Sequence, residues 1–510
     1  MFTKLRHIRQ ISTKIPLDPS KISIYSCKTR GKASLNLVNP WTSTFYTCGP
    51  TVYDSAHIGH ASCYVRLDIV QRILRDHFRL NLVTAMNITD IDDKIIKRAA
   101  QLGKTWEQIS QQYEEEFWSD LDRLNVLRPD IKLRVTDHMT DIIGFINTLI
   151  EKGFAYKSVN ESVYFRTAKY PTYGKLQNIP EHPKSSGGAK ENTSDFALWK
   201  AAKPKEPFWE APFGPGRPGW HIECSSLATR LFGSRIDFHA GGLDLRFPHH
   251  ENEEAQSCCY HSVSDWVTHW LHTGQLHLDG QVEKMSKSLK NTISIGELLE
   301  KFTADEFRML CLLSHYRSSI VYGDESMAVA TNTLKKFHSF MDDSRAYVSG
   351  AKKVVPLDVN QIQEKLEEVD SKINEYLSND FNTANVISAL GELTSSINKM
   401  INQKGNDLIV ASEVGPIQSV ANYVRSKFDL LGLVSFGPSK NASTSEESHQ
   451  SLEKLIESVL QIRGSIRGQA METKNRQLFG LCDEIRDQLR QANVEIKDHG
   501  KTYSWSFLKR

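Results

Sequence analysis

A chain of 510 residues is too long for one hydrophobic core, so we expect two to four domains. Its content of 39% hydrophobic and 24% charged residues is typical of a soluble globular protein, and no apolar run is long enough to cross a bilayer. Lys and Arg number 63 against 61 Asp and Glu, a net charge of +2, so any nucleic-acid binding must depend on local basic patches rather than on a global field.

The first 20 residues have the composition of a mitochondrial transit peptide. Basic side chains occur at Lys4, Arg6, Arg9 and Lys14, no acidic residue precedes Asp18, and hydroxyl and apolar residues lie between them. This pattern predicts import into the mitochondrial matrix. The alternative is an ordinary basic and disordered start of the chain.

Globular patterning begins near residue 22, and its first elements predict a βαβ unit. Residues 44–50 are predicted to form a buried strand, residues 62–78 a helix with one apolar face, and residues 80–88 a second strand. This order implies a Rossmann-like parallel sheet that binds its ligands at the carboxyl ends of the strands. Residues 105–155 are predicted to be helical and amphipathic.

The pattern predicts a second half of the same sheet after an insertion. A Gly/Pro/Lys-rich stretch over 169–219 is predicted to be irregular, and a strand at 236–239, a helix at 248–260 and a strand at 269–277 follow it. From residue 295 onward the pattern is helical. The predicted domains are a transit peptide (1–20), the first half of the sheet domain (21–145), a connective insertion (146–219), the second half of the sheet domain (220–294), a helical domain (295–432), a flexible linker (433–451) and a helical tail (452–510).

Two short motifs together predict chemistry at the α-phosphate of ATP. His57, Gly59 and His60 form a His-x-Gly-His turn, in which the glycine lets the backbone approach a nucleotide and the histidines can donate to phosphate oxygens. Lys284 and Lys287 belong to a later Lys-Met-Ser-Lys-Ser loop, and their long side chains suit a departing pyrophosphate. Finding both motifs in this order makes a chance match improbable.

Cysteine and histidine usage indicates a candidate zinc site. The eight cysteines show no paired framework, which indicates reduced thiols, some of them available to metal. Cys48 ends the first strand beside the histidine turn, and Cys224 comes from the second half of the sheet. His249 and Glu253 are four residues apart on one face of the helix that is predicted to start at Pro248. Spacing alone leaves core packing open as an alternative, and it leaves four other candidate ligands nearby: His239, His250, Cys258 and Cys259.

Six longer motifs resemble those of cysteinyl-tRNA synthetase, a class I aminoacyl-tRNA synthetase, most closely the animal mitochondrial form. They are residues 46–60 (YTCGPTVYDSAHIGH), 87–98 (NITDIDDKIIKR), 195–200 (DFALWK), 217–225 (RPGWHIECS), 247–253 (FPHHENE) and 283–291 (EKMSKSLKN). The resemblance covers residues 22–320 nearly continuously and is weaker in the helical remainder. It implies an α/β catalytic domain of Rossmann-like fold with an insertion, followed by an all-α tRNA-binding domain.

The resemblance also implies roles for individual residues. Lys287 is implied to contact ATP, and Ser62 is a departure, because many relatives carry Arg at that position. The implied ligands of one Zn²⁺ ion are Cys48, Cys224, His249 and Glu253. The implied cysteine-binding residues are Gly49, Thr89, Trp220, His239 and His249.

The implied activity is ATP- and Mg²⁺-dependent activation of L-cysteine and its transfer to tRNA(Cys) by an enzyme expected to be a monomer. Zinc explains the choice of cysteine over serine, because a thiol binds a metal as thiolate far more readily than a hydroxyl binds as alkoxide, so no editing domain is expected. The mitochondrial relatives are also associated with a pyridoxal-phosphate-dependent persulfide synthase activity, which would involve Lys94 and Lys97. Two rival interpretations are a small-molecule cysteine ligase on the same core and a non-catalytic tRNA-binding paralogue.

Overall fold

The structure is a computed structural model that describes residues 21–178, 188–280, 292–350, 353–403, 409–410, 414–436, 446–499 and 502–507. The chain forms two compact units, Met1–Phe436 and Gly437–Arg510. The division falls within the stretch predicted as a linker. The predicted transit peptide lies outside the described residues, so it stays a prediction.

The first unit begins with alternating strands and helices that build half of a parallel sheet. The elements are β1 (Ser23–Ser26), β2 (Gly31–Ser34), β3 (Ser43–Thr47), α1 (Ile58–Arg72), β4 (Leu82–Ile88), α2 (Asp93–Leu102), α3 (Trp106–Arg123), β5 (Ile131–Arg134) and α4 (Met139–Glu151). Strand β4 pairs in parallel with both β3 and β5. The prediction that residues 105–155 are helical is wrong at β5, because a strand of four residues is too short to interrupt a helical periodicity visibly.

The insertion is a small antiparallel sheet rather than an irregular segment. Its strands are β6 (Ala155–Lys157), β7 (Val163–Phe165), β8 (Phe196–Ala201) and β9 (Gly216–Pro218). The prediction of an irregular stretch over 169–219 is therefore wrong for β8 and β9. These strands have six and three residues and lie among Gly/Pro/Lys-rich turns, which obscures their alternation.

The second half of the chain's catalytic region completes the main sheet. Its elements are α5 (Trp220–Phe232), β10 (Ile236–Gly242), α6 (Glu251–His261), β11 (Val267–Thr273) and β12 (Leu276–Leu278). Strand β10 pairs in parallel with β3 on one side and with β11 on the other, so the five-stranded order is β11-β10-β3-β4-β5. The carboxyl ends of strands far apart in sequence therefore meet at one edge.

The remainder of the first unit is mainly helical. Its elements are α7 (Ile295–Lys301), α8 (Ala304–Leu312), β13 (Ile320–Tyr322), α9 (Asp324–Val348), β14 (Lys353–Val354), α10 (Val359–Ser378), α11 (Thr383–Ile401), β15 (Ile409–Val410) and α12 (Gly415–Leu430). The prediction of a helical C-terminal region is confirmed, with three short strands as the exception. Strand β13 pairs with β12, and β14 pairs with β15.

The second unit ends in strands rather than in a helix. Its elements are α13 (Glu446–Thr473), α14 (Arg476–Gln491), β16 (Val494–His499) and β17 (Thr502–Phe507), and the last two form an antiparallel hairpin. The predicted helical tail is wrong over this hairpin, and the predicted linker is wrong from residue 446, where α13 begins. None of the helices that the structure describes is both long and apolar enough to span a membrane.

Candidate active site

A cavity of about 350 Å³ lies at the carboxyl edge of the main sheet. The histidine turn before α1, the residues after β3, the start of α5 and the segments after β10 and β11 all contribute to its wall. Predicted site residues that line it are Cys48, Gly49, His57, Gly59, His60, Trp220, Cys224 and His249. The sequence prediction that ligands bind at this edge of the sheet therefore agrees with the position of the cavity.

The histidine turn is held by its own side chains. His57 caps α1: its Nδ1 accepts the Gly59 N–H at 3.1 Å, and the His57 N–H in turn donates to Nδ1 of His60 at 3.3 Å. The two rings stack with their centroids 3.9 Å apart. Because each Nδ1 accepts a backbone hydrogen bond, the proton of each neutral ring is on Nε2, which makes Nε2 a donor to phosphate oxygen.

The lysine loop is connected to the same turn at its downstream end. Lys284 and Lys287 lie outside the described residues, so their roles stay predictions. Immediately after the loop, the Ile293 carbonyl accepts the Ile58 N–H at 2.9 Å, and the Ile295 N–H donates to the Ala56 carbonyl at 3.2 Å. The segment that follows the lysine motif thus contacts the histidine turn, although more than 200 residues separate the two in sequence.

The four predicted metal ligands come together at the cavity, and all of them except Glu253 line its wall. One candidate ligand atom from each of Cys48, Cys224, His249 and Glu253 lies within 4.8 Å of every other, and all four residues are buried. Cys48 follows β3, Cys224 lies in α5 and Glu253 in α6. His249 lies in the turn Arg246–His250 that leads into α6; Phe247 is the one residue of this turn with non-helical φ/ψ, so helical backbone begins at Pro248 and the predicted helix start is confirmed.

The two sulfur contacts of this cluster have the separations of tetrahedral zinc coordination, whereas the His249–Glu253 contact is shorter. Zn–S bonds of about 2.3 Å and Zn–N or Zn–O bonds of about 2.0–2.2 Å imply ligand separations of about 3.4–3.8 Å at tetrahedral angles. The Cys48 and Cys224 sulfurs are 3.6 Å apart, and Cys48 Sγ is 3.5 Å from Glu253 Oε1. His249 Nε2 lies 3.0 Å from the same carboxylate oxygen. Two thiols, an imidazole and a carboxylate also form a donor set that zinc accepts.

Burial favours the neutral form of every ligand in this cluster. It raises the pKa of the Cys48 thiol well above its usual range and the pKa of the Cys224 thiol to about 11. It also raises the pKa of the Glu253 carboxyl and lowers the pKa of His249 well below its usual value. A divalent cation at the centre would supply the charge that stabilises the thiolates and the carboxylate. The residues therefore fit a zinc ion.

Further histidines surround the cluster. His239 Nε2 pairs with Glu253 Oε2 at 2.8 Å, and His221 Nδ1 lies 3.0 Å from His249 Nδ1. His250 Nε2 lies 3.4 Å from Cys48 Sγ, so an overlapping set of Cys48, His239 and His250 could also hold an ion. The alternatives Cys258 and Cys259, in contrast, belong to neither set of candidate ligands among the described residues.

The predicted cysteine-binding residues divide into two groups. Gly49, Trp220 and His249 line the cavity, and the Trp220 ring is 39% exposed and stacks on His249 at 4.2 Å, so it is not a core residue. Thr89 and His239 are fully buried and do not line the cavity. Thr89 and His239 can therefore affect the substrate only through side chains that do line the cavity.

Asn87 is a pocket residue that the sequence prediction missed. Its Oδ1 accepts the Gly49 N–H at 2.9 Å and lies 3.5 Å from Cys224 Sγ, and its Nδ2 is 3.4 Å from the Thr89 hydroxyl. The Thr89 hydroxyl itself donates to buried Glu223 at 2.8 Å. An amide side chain in a mainly apolar strand, one position before its end, was the signal in the sequence.

Three other residues from the sequence prediction lie around the site. Ser62 is buried in α1 and does not line the cavity, so it provides no phosphate contact in place of the Arg of many relatives. Lys94 and Lys97 are both exposed on α2. Lys94 lines the cavity with its Nζ 5.3 Å from the centre of the Tyr53 ring, whereas Lys97 does not line it.

Comparison with known proteins first defines the class. Residues 35–332 match the family model for the class I (C) tRNA synthetase catalytic domain, and residues 372–435 match the DALR domain. Mycobacterium tuberculosis methionyl-tRNA synthetase in complex with methionyl-adenylate shares the fold with a TM-score of 0.58 at 14% identity, over 77% of this chain and 91% of that one. Agrobacterium radiobacter LeuRS in a ternary complex does so with a TM-score of 0.56 at 11% identity, over 79% and 86%. The protein is a class I aminoacyl-tRNA synthetase.

Similar sequences then define the family. The probable mitochondrial cysteine–tRNA ligase of Xenopus tropicalis is 38% identical, covering 96% of this chain and 90% of that protein. The cysteine–tRNA ligase of Staphylothermus marinus is 39% identical, covering 95% of this chain and 98% of that protein. The chain belongs to the cysteine–tRNA ligase family. These matches extend through the helical remainder and cover 90% and 98% of the two relatives. They therefore favour the cysteine–tRNA ligase family over a small-molecule cysteine ligase or a non-catalytic tRNA-binding paralogue.

Proposed function

We propose that this enzyme activates L-cysteine with Mg²⁺-ATP in the cavity, selects cysteine by means of one zinc ion, and transfers it to tRNA(Cys). The observation that carries this proposal is the buried cluster of two thiols, an imidazole and a carboxylate within 4.8 Å of one another, beside the His57–His60 turn. The residues that would hold the ion are Cys48, Cys224, His249 and Glu253.

A zinc ion at this position would supply a Lewis-acid site that accepts the thiolate of cysteine and rejects the hydroxyl of serine. The chain's own residues orient the rest of the amino acid. Gly49 brings the backbone to the cavity wall, and Asn87 fixes the Gly49 N–H. Trp220 covers His249 on the open side. This leaves the substrate carboxylate free to point toward the histidine turn.

Activation requires the cysteine carboxylate to attack the α-phosphorus of ATP, which forms a mixed anhydride and releases pyrophosphate. His57 and His60 both line the cavity. Because each Nδ1 accepts a backbone hydrogen bond, each Nε2–H is available to stabilise charge on the phosphate oxygens in the transition state. Lys284 and Lys287 are proposed to neutralise the pyrophosphate. The side chains form no covalent bond, so positioning and electrostatics account for the rate.

Transfer follows when a hydroxyl of the terminal tRNA ribose attacks the carbonyl carbon of the adenylate and AMP leaves. The DALR domain and the other helices beyond residue 295 are proposed to bind the tRNA, and the C-terminal region near Trp505 to contact splayed anticodon bases by stacking. The net charge of +2 means that this contact depends on local basic patches.

The test combines metal analysis with amino-acid-dependent ATP–pyrophosphate exchange on the full chain. We expect one zinc per chain, exchange with cysteine but not with serine, and charging of tRNA(Cys) but not of free amines. Chelation should abolish cysteine-dependent exchange, and added zinc should restore it. A folded, metal-free protein that still prefers cysteine to serine would refute the proposal.

Action in the mitochondrial matrix is proposed on two grounds: the basic N-terminus over residues 1–20 and the similarity to a relative named as mitochondrial. A fluorescent fusion of the full chain should co-localise with mitochondria, and deletion of residues 2–20 should abolish this. Diffuse fluorescence from the full-length fusion would contradict import. Gel filtration of the purified protein tests the expected monomer.

The pyridoxal-phosphate-dependent persulfide synthase activity stays a prediction from the resemblance. A Schiff-base lysine is usually activated by burial or by a neighbouring cation, and Lys94 and Lys97 are both exposed. Only Lys94 reaches the cavity. A pyridoxal absorbance band that disappears in Lys94→Ala but persists in Lys97→Ala would support a role for the first lysine alone.

A further inference from the structure

Helix α1 carries a buried arginine that holds three backbone carbonyls together. Arg66 is 1% exposed. Its Nη1 nitrogen lies 3.0 Å from the Gly274 carbonyl oxygen, 3.1 Å from that of Tyr316 and 2.9 Å from that of Ser318. The negative ends of three carbonyl dipoles therefore meet at one point, which is favourable only while a positively charged donor lies between them. Arg66 thus joins α1 to two other parts of the chain.

One of these parts is a wall of the cavity. The four consecutive residues 273–276 all line the cavity, where the chain passes from β11 to β12. The Gly274 N–H donates to the Tyr316 carbonyl at 2.9 Å, and a Cβ atom at position 274 would lie 2.1 Å from the Ser318 carbonyl oxygen. The wall therefore rests directly on residues 316–318, and the arginine that holds those residues also fixes the position of the wall.

The wall and the metal cluster belong to opposite faces of the main sheet. In β11, Leu271 packs into the core that contains α1, and its neighbour Trp270 packs into the core that contains Cys224. Leu276, in the wall, belongs to the core of α1. Because the cavity is lined by residues from both cores, it extends around the edge of the sheet. With cysteine held at the cluster, ATP must occupy the part on the α1 face, beside the histidine turn.

We propose that Arg66 is a positioning residue for ATP, which holds the wall at residues 273–276 in place relative to the histidine turn. The inference rests on the activation reaction proposed above. Arg66 does not line the cavity, but it follows His60 by less than two turns of the same helix. Its side chain therefore fixes the wall relative to the histidines. The attack on the α-phosphorus requires this alignment, since a displacement of about 1 Å can cost about 100-fold in rate.

Arg66→Met tests this because it removes the charged donor and keeps a long side chain. In cysteine-dependent pyrophosphate exchange, kcat/KM for ATP should fall on the order of 10- to 100-fold. Zinc content and the KM for cysteine should stay at wild-type values, because the cluster lies on the other face. Arg66→Lys should recover part of the loss, since one ammonium group has three N–H donors for the three carbonyls.

Arg308→Met is the matched control. Arg308 is also fully buried and also holds backbone carbonyls, those of Leu124 and Leu431, but none of these residues lines the cavity. At a temperature where this variant is folded, its kcat/KM for ATP should equal that of the wild type. Equal losses in Arg66→Met and Arg308→Met would overturn the role of Arg66, because they would show a general effect of removing a buried arginine.

Gly274→Ala moves the same wall with Arg66 in place, and it decides the question should Arg66→Met not fold. It should reproduce the loss in kcat/KM for ATP, again with one zinc per chain. Wild-type ATP kinetics in folded Arg66→Met or in Gly274→Ala would overturn the role of Arg66 alone. A wild-type protein that shows no cysteine-dependent exchange would overturn the proposed function and this role with it.

Discussion

The sulfur atoms of Cys48 and Cys224 lie 3.6 Å apart, although 176 residues separate the two cysteines in the chain. The contact depends on the order of the sheet, because β3 lies between β10 and β4 and the Cys48 N–H donates to the Ala240 carbonyl at 3.1 Å. A metal ion at this point would therefore join the two halves of the catalytic domain. Loss of the ion is expected to lower the thermal stability of the enzyme as well as its selectivity.

Cys224→Ser should lose the metal and, with it, cysteine activation. The serine hydroxyl is a poor metal ligand. We therefore expect cysteine-dependent ATP–pyrophosphate exchange to fall at least about 100-fold, which is the upper end of the effects seen when the surroundings of a metal site are changed. Cys259→Ser is the matched control, since Cys259 is a buried cysteine of α6 that does not belong to the cluster. Zinc analysis and exchange assays check both variants. One zinc per chain with normal exchange in Cys224→Ser would exclude this cysteine as a ligand.

Gly49→Ala should damage the cysteine pocket. A Cβ atom at this position would lie 1.6 Å from the Asn87 carbonyl oxygen, so the backbone beside Cys48 must move. Displacements of about 1 Å at a reacting site can cost about 100-fold in rate, and we expect kcat/KM for cysteine to fall by that order. In Gly144→Ala, a control in helix α4, the new Cβ meets no atom within 4 Å, and stability should rise by about 0.5–1 kcal/mol. If the two variants had identical kinetics with cysteine, the close approach of Gly49 to the Asn87 carbonyl would be refuted.

His60→Asn should slow activation without affecting metal binding. Asparagine Oδ1 can still accept the His57 N–H, but the variant has no Nε2–H donor for phosphate oxygen. Removing one such donor typically costs 10²–10³-fold in kcat, on the order of what we expect for pyrophosphate exchange. Zinc content and the KM for cysteine should stay at wild-type values. His138→Asn, at a partly buried histidine paired with Asp141 and outside the cavity wall, should behave as wild type in every assay.

The sequence predicted the βαβ halves of the main sheet and their shared ligand-binding edge, because long apolar strands and a turn rich in functional residues leave strong local signals. Strands β5 and β9 left none, since four and three residues are too few to establish a period, and the alternation of β8 is obscured by the Gly/Pro/Lys-rich turns around it. The same limit applies to the C-terminal hairpin. Only tertiary pairing decides the conformation of such segments.

The metal cluster illustrates a second limit. His249 and Glu253 could be paired by helical spacing, and Cys48 and Cys224 could be added as candidates from their places in the predicted sheet. No local rule connects residues so far apart, so only the resemblance to a family singled these four out from the neighbouring histidines and cysteines. Asn87 was missed for a related reason. Its contacts with Gly49, Thr89 and Cys224 are set by the fold, and in the sequence it is one of two polar residues within a strand.

Arg308→Met should strongly destabilise the first unit. Arg308 and Asp68 are both about 1% exposed, and Arg308 Nη1 lies 2.6 Å from the Asp68 carboxylate. Asp68 keeps a second partner in Arg72, whose Nε lies 2.8 Å away, but removal of Arg308 leaves the buried carbonyls of Leu124 and Leu431 without this donor, at a cost of about 1–3 kcal/mol for each. Arg345→Met is the control, because Arg345 pairs with Asp342 on the surface at exposures of 76% and 71%, and it should change the free energy of unfolding by less than about 1 kcal/mol. Urea titration of both variants measures the difference, and equal midpoints would contradict the buried pair.

His77→Gln should reduce the sensitivity of the fold to mild acid. His77 Nε2 is buried without a partner among the described residues, and burial lowers the pKa of this histidine to about 4. The unfolded chain binds a proton near pH 6.5, whereas the folded chain leaves His77 neutral down to about pH 4. The contribution of His77 to stability is therefore complete above pH 6.5 and declines as the pH falls toward 4. Between pH 7 and pH 5 the wild type should lose about 2 kcal/mol more unfolding free energy than His77→Gln, as measured by urea titration at each pH. Parallel losses in the two proteins would show that His77 titrates alike in the folded and unfolded states.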